Sequence, residues 1–498
     1  MGYTQDPEYA YLFNALGILN LQVPYHVDHP GTTMQVLSAL LIVIRYLLTL
    51  KPLTLQSLNL DVLANPERYL DWIASIITLM LCISYWLAGF IIYRFSNRLW
   101  KAILFQATPF FFPTILFSIH RVSTETLMLI LVVWISVLIV PTIFIENFNF
   151  SWRRSMLMGV LIGAALVTKV IALPLLLLLL LPRKTKNVAL GVLSTIISVV
   201  FFSLPIVSQY GRMVAWFQQL IFHTGIHGVG ATFLPVFRDL KESFSKLLIQ
   251  DPYIYFLIVL LGISSLNGFF IIINKRGISK SYTFKLFESV LILVVILFQM
   301  SMTLRAPNSR YLLPSMGLSG LGALLYYEIQ FDTLKNGYLH KAFTKYSLLI
   351  ISVIGLASSF VWGSAQSDLA KIEKENTQWI SQLINSENKN CTIVYSYPAS
   401  SLLFALESGN YFTREYFGKQ LDNLNPNSYF YIIWEYSFYD FYGKISTEKI
   451  VDKLISGDCV LLQGSEINNN ELTGVFKDFL FLRLDHNRNQ ALYKIILK

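Results

Sequence analysis

Charge and cysteine are what this chain has least of. Charged residues fill 14% of its 498 positions and hydrophobic ones 54%, an imbalance that excludes a single soluble core. Only Cys82, Cys391 and Cys459 are present, too few for a disulfide framework or a clustered Cys/His zinc pattern. Cys391 and Cys459 each open a strand-like run, and they read equally well as a pair or as two buried thiols. Beyond residue 364 there is no phosphate loop, nucleophile elbow or metal-ligand spacing, so no catalysis is assigned there.

What is present is apolar length. A mean hydropathy of +0.53 and several apolar runs near 20 residues, each enough to cross a hydrocarbon core of roughly 30 Å, define a polytopic membrane protein. The runs predict about ten crossings, at 71–93, 102–119, 123–145, 155–170, 171–182, 188–207, 252–273, 286–304, 311–328 and 346–363. Basic residues then fall on alternate loops: Arg94, Arg98 and Lys101; Arg153 and Arg154; Arg183, Lys184 and Lys186; Lys275, Arg276, Lys280 and Lys285; Lys335, Lys341 and Lys345. These loops come out cytoplasmic, and insertion accounts for the net charge of +9 without a nucleic-acid partner. The apolar run 34–50 would invert every later loop if it crossed, so it reads as an interfacial helix, with a second one around 58–70. Segment 155–182 reads as a hairpin with Lys169 near its outer tip, since Pro174 interrupts a single long helix.

Three regions follow: an outer loop with interfacial helices at 1–70, a transmembrane helical domain at 71–363 with an outer loop at 208–251, and a soluble α/β outer domain at 364–498. In the last, 391–397, 429–434 and 458–463 read as buried strands, and 369–384 and 445–456 as amphipathic helices.

Candidate chemistry sits in the outer segments. Asp6-Pro7-Glu8 is an ideal helix start, with Asp as N-cap, Pro at the first position and an acid in the first turn; it is equally a pair of carboxylates at a membrane surface. Asp28 and His29 precede a Pro-Gly turn. Arg121 and Glu125, four apart, either pair along a helix or hold a functional charge at the bilayer boundary. His223 and His227 stand among Gly225, Gly228 and Gly230, which argue against the helix a zinc pair needs and for a loop at a site entrance. Arg305, Arg310 and Tyr311 border a membrane edge, where Arg either snorkels or binds phosphate oxygens bidentately.

The opening Asp6-Pro7-Glu8-Tyr9, a spacer of about twenty residues and His29-Pro30-Gly31 resemble the first outer loop of the polyprenyl-phosphate-sugar glycosyltransferases of the C-type fold, the group containing protein O-mannosyltransferases and lipid A aminoarabinose transferases. The segment Arg310-Tyr311-Leu312-Leu313-Pro314 resembles that family's Arg-Tyr-aliphatic-Pro segment. The resemblance implies a mainly α, polytopic membrane glycosyltransferase that moves a sugar from a polyprenyl-phosphate carrier to a hydroxyl or amine on a lipid, glycan or protein, inverting the anomeric centre. It implies Asp6 as the catalytic residue, Glu8, Asp28, His29 and Glu125 as a second acid or acceptor contacts, and Arg310, Arg305, Lys169 and Tyr311 around the donor phosphate. No metal or cofactor is called for. The expected location is a bacterial plasma (inner) membrane, with the site and C-terminal domain outside. Because a membrane helix precedes this loop in the family, an upstream apolar segment is expected in the native gene. The rival readings are a lipid or sugar transporter or flippase, which internal duplication would favour and this sequence does not show, and a non-catalytic relative.

Overall fold

The structure is a computed structural model that describes all residues except 1–7, 28–30, 53, 120, 147, 223–236, 275–279, 305–306, 334–337, 387–390, 397–400, 433–434, 466–477 and 488–489. In chain order its helices are α1 (Glu8–Leu19), α2 (Thr32–Leu47), α3 (Leu55–Ala64), α4 (Pro66–Ser96), α5 (Leu99–Ala107), α6 (Pro113–Ser118), α7 (Thr124–Phe144), α8 (Trp152–Thr168), α9 (Thr185–Ser203), α10 (Tyr210–Phe222), α11 (Phe237–Gln250), α12 (Pro252–Asn274), α13 (Lys280–Thr303), α14 (Leu313–Thr333) and α15 (Tyr338–Ser386). Strands then alternate with helices: β1 (Thr392–Ser396), α16 (Leu402–Tyr411), α17 (Gly418–Leu424), β2 (Ser428–Ile432), β3 (Ser437–Asp440), β4 (Gly443–Ile445), α18 (Thr447–Ile455), β5 (Val460–Ser465), β6 (Phe479–Asn487) and β7 (Gln490–Leu497). The chain is mainly helical, with a small strand-containing domain at its C-terminus.

Among the described residues, five segments are long and apolar enough to cross a bilayer: Pro66–Ser96, Thr124–Phe144, Thr185–Gln219, Pro252–Ile273 and Ser281–Thr303. With the shorter apolar helices they make a multi-pass membrane protein. Three sequence expectations meet a different backbone. The run 102–119 is not one helix, because Pro109 and Pro113 divide it into α5, the 3-10 turn Thr108–Phe111 and α6. The second interfacial helix, expected over 58–70, ends at Ala64, and Pro66 already begins α4 as a first-turn proline. The expected helix 369–384 is not separate; nothing in the sequence breaks α15 before Ser386.

The described residues pack as two compact units, one drawn from 27–34 and 74–364 and the other from 1–26, 35–73 and 365–498. In the first, side-chain contacts sort the helix ends. At one end Lys101 (α5) and Lys285 (α13) both pair with Glu328 (α14), the latter at 3.8 Å, and Lys101 also lies 4.9 Å over the ring of Phe144 at the end of α7. At the same end of α13, Arg183 sits 3.3 Å over Phe284. The chain doubles back at the opposite end, at Lys169, whose extended backbone (φ −162°, ψ 131°) stops α8 and starts the 3-10 segment Val170–Leu180. That segment returns along α8, so 155–182 is a hairpin.

In the second unit the C-terminal sheet has the order β4-β3-β2-β1-β5-β7-β6, with β1 parallel to both β2 and β5 and the other pairs antiparallel. Cys391 and Cys459, just before β1 and β5, form a disulfide, and Thr392 N donates to Cys459 O at 2.7 Å. Helix α1 lies so closely on α16 that a Cβ on Gly409 would stand 2.8 Å from the Phe13 ring. Asn14 joins the two: its Nδ2 donates to Phe412 O (3.0 Å), and its Oδ1 accepts from Tyr25 N (2.7 Å) and His26 N (3.2 Å).

Candidate active site

Four of the sequence-derived site residues meet at the turn-back end of the helical unit. Glu125 enters in the first turn of α7, where a carboxylate complements the positive helix terminus. Its Oε1 accepts from Lys169 Nζ at 2.6 Å, and both side chains are about 95% buried. The carboxylate is thus matched by an ion from the hairpin tip, which is what its burial requires. The adjacent Thr168 Oγ1 donates to Ala164 O (2.7 Å) and lies 2.7 Å from Thr33 Oγ1.

Lys169 Nζ also faces the Tyr311 ring, 5.5 Å from its centroid. Tyr311 belongs to the 3-10 turn Ser309–Leu312, which Asn308 caps by accepting from Arg310 N at 3.1 Å. Gln299 Nε2, near the end of α13, donates to Tyr311 O at 2.7 Å and fixes the turn from below. Arg310 is half-buried and adds its positive field to the Glu125 carboxylate. Two cations therefore share one carboxylate and leave a surplus positive charge, beside a phenol and the start of a membrane helix. That set can hold a phosphate oxygen: Arg as a planar fork, Lys as a point charge.

Sequence reasoning missed what lies behind this turn. Asp251, fully buried before α12, accepts through Oδ2 from Thr114 Oγ1 at 2.5 Å and through Oδ1 from Thr114 N at 3.3 Å, and Thr114 Oγ1 lies 2.5 Å from Ser309 Oγ. Asp-Pro reads as an ordinary helix start, and no local signal brings Thr114 or Ser309 to it.

The described cluster does not include the other candidates. Glu8 is the buried first residue of α1, in the unit that holds the C-terminal sheet. Asp6, Asp28, His29, His223, His227 and Arg305 lie outside the described residues. Arg121 stacks 5.4 Å over the Phe117 ring rather than pairing with Glu125 through any described contact.

No protein-family model matches the sequence, and no curated protein matches it. Solved structures are similar, among them two of one protein. The apo state of ArnT from Cupriavidus metallidurans aligns with a TM-score of 0.50 at 10% identity, covering 99% of this chain and 94% of that one. The same protein bound to undecaprenyl phosphate aligns with a TM-score of 0.46 at the same identity and coverage. Identity this low speaks of architecture alone: this chain has the fold of ArnT, the fold that its first loop and its Arg310-Tyr311 segment imply.

Proposed function

We propose that this chain is an integral membrane glycosyltransferase that moves a sugar from a polyprenyl-phosphate carrier to a hydroxyl or amine. The observation that carries the reading is the convergence of Lys169, Arg310 and Tyr311 on Glu125 at one end of the helical unit. In the reaction the acceptor oxygen or nitrogen attacks the anomeric carbon as the bond to the phosphate oxygen breaks. Negative charge grows on the departing phosphate, and fixed cations stabilise it because they need no reorganisation when it appears. Asp6 takes the acceptor's proton, and in-line attack inverts the anomeric centre. Glu125 holds Lys169 extended toward the phosphate.

The site end lies on the outer face of the membrane. The observation that supports this is that the basic loops cluster at the opposite helix ends. In a Cys82→Ser background, cysteines introduced at Asn308 and Gly230 should label from outside and those at Gly277 and Asn336 only after permeabilisation. The reverse pattern overturns the outer placement.

Undecaprenyl phosphate binding to the purified protein tests the donor site. Arg310→Ala should weaken it by about 10- to 100-fold, as expected for losing one charge-assisted pair. Arg310→Lys should recover part of it, because the charge stays and the fork is lost. Wild-type binding by the Ala variant would show that Arg310 only snorkels.

A further inference from the structure

The hydroxyl chain behind the Arg310–Tyr311 turn ends on a carboxylate to which the proposed chemistry gives no task. Asp251 is fully buried, yet its partners are hydroxyls and a backbone amide. Thr114 faces it from α6 and Ser309 from the 3-10 turn. The Tyr255 phenol on α12 donates to Phe244 O on α11 at 3.2 Å. Among the described residues no side-chain cation pairs with it. A carboxylate that only closed a helix start would have no need of the second hydroxyl, which belongs to the residue next to Arg310.

The direction of the chain follows from its protons. Each hydroxyl carries one. With Asp251 ionised, Thr114 must donate to the carboxylate, so the 2.5 Å contact to Ser309 is a bond that Ser309 donates inward. With Asp251 protonated, its own O–H donates to Thr114, Thr114 donates to Ser309, and the Ser309 proton is released from the chain.

We propose that Asp251 is a positioning residue for the donor-phosphate site, coupling its own proton to anion binding at the Arg310–Tyr311 turn through Thr114 and Ser309. This rests on the phosphate reading of that turn. Ionised Asp251 opposes an anion twice, by its charge and by committing the Ser309 proton inward; protonated Asp251 does neither. Burial pushes the Asp251 carboxyl up to about 6 against the pull of its hydroxyl donors, so the change falls near neutrality. Because the proton favours the anion, binding should weaken as pH rises through that value, and a bound phosphate should raise it further.

The test is undecaprenyl phosphate binding by the purified full chain between pH 5 and pH 8, in the wild type and in Asp251→Asn. The ligand's own phosphate titrates in both, so the ratio of the two affinities isolates Asp251. That ratio should fall about tenfold from pH 5 to pH 8, with the unliganded thermal midpoint of the variant near that of the wild type. A constant ratio overturns the inference and leaves the donor reading standing; no wild-type binding at any pH overturns both. Should Asp251→Asn not fold, Thr114→Val must flatten the pH dependence while Thr114→Ser, which keeps the hydroxyl, preserves it. Indistinguishable profiles for those two variants overturn the coupling equally.

Discussion

Asp6→Asn is expected to lower transfer by about a hundredfold to ten-thousandfold, the usual loss when a base is removed, while the protein remains inserted, folded and able to bind undecaprenyl phosphate. The substitution separates the two readings of the chain's opening. Asn is as good an N-cap as Asp, so if residue 6 only starts the helix that begins at Glu8, turnover should stay close to wild type. An amide cannot take a proton at neutral pH, so if residue 6 is the base, turnover collapses with binding intact. The measurement is single-turnover release of polyprenyl phosphate from a lipid-linked sugar by purified protein. Wild-type turnover would move the assignment to Glu8 or Asp28.

Lys169→Met should do two different things at once. It removes a cation from the phosphate site, and it strands the Glu125 carboxylate in a buried position with its 2.6 Å partner gone. Breaking a buried pair from one side costs roughly 3–5 kcal/mol, so the single variant should unfold at markedly lower temperature and accumulate poorly. Adding Glu125→Gln neutralises the stranded acid. The double variant should therefore regain most of the thermal stability and none of the undecaprenyl phosphate binding. Recovery of both would mean that the pair is a structural fastening with no part in the site. Failure to recover stability would mean that Lys169 is held by contacts other than its ion pair.

The elements most legible in the sequence were those whose signal is local. Continuous apolar runs marked α7, α9, α12 and α13, and the same logic found the three parallel strands β1, β2 and β5, which are buried on both sides. The outer strands gave less: β3 and β4 span four and three residues, and β6 is largely exposed along its length, so its apolar alternation has no strong burial signature. The run 102–119 looked continuous because its hydrophobicity is continuous; backbone chemistry at Pro109 and Pro113 divides it.

The site divides in the same way. Lys169, Glu125 and Arg310 stood out because a charge beside apolar helices is costly and demands a reason. Their pairing was not visible: Glu125 was within reach of Arg121 along its own helix start, and tertiary packing gave it Lys169 instead, 44 residues away. The Asp251–Thr114–Ser309 chain spans still larger separations with residue types common at any helix end, so only the fold reveals it.

The central claim is that the chain consumes a polyprenyl-phosphate sugar, and the pool of that donor reports on it whatever the sugar and the acceptor are. Lipids extracted from cells lacking the protein, and from the same cells carrying wild-type or Asp6→Asn protein, can be compared by mass spectrometry. One polyprenyl-phosphate-linked sugar should accumulate in the deletion, return to its ordinary level with the wild type and stay high with Asp6→Asn. A lipid-linked sugar pool unchanged by deletion would contradict the account.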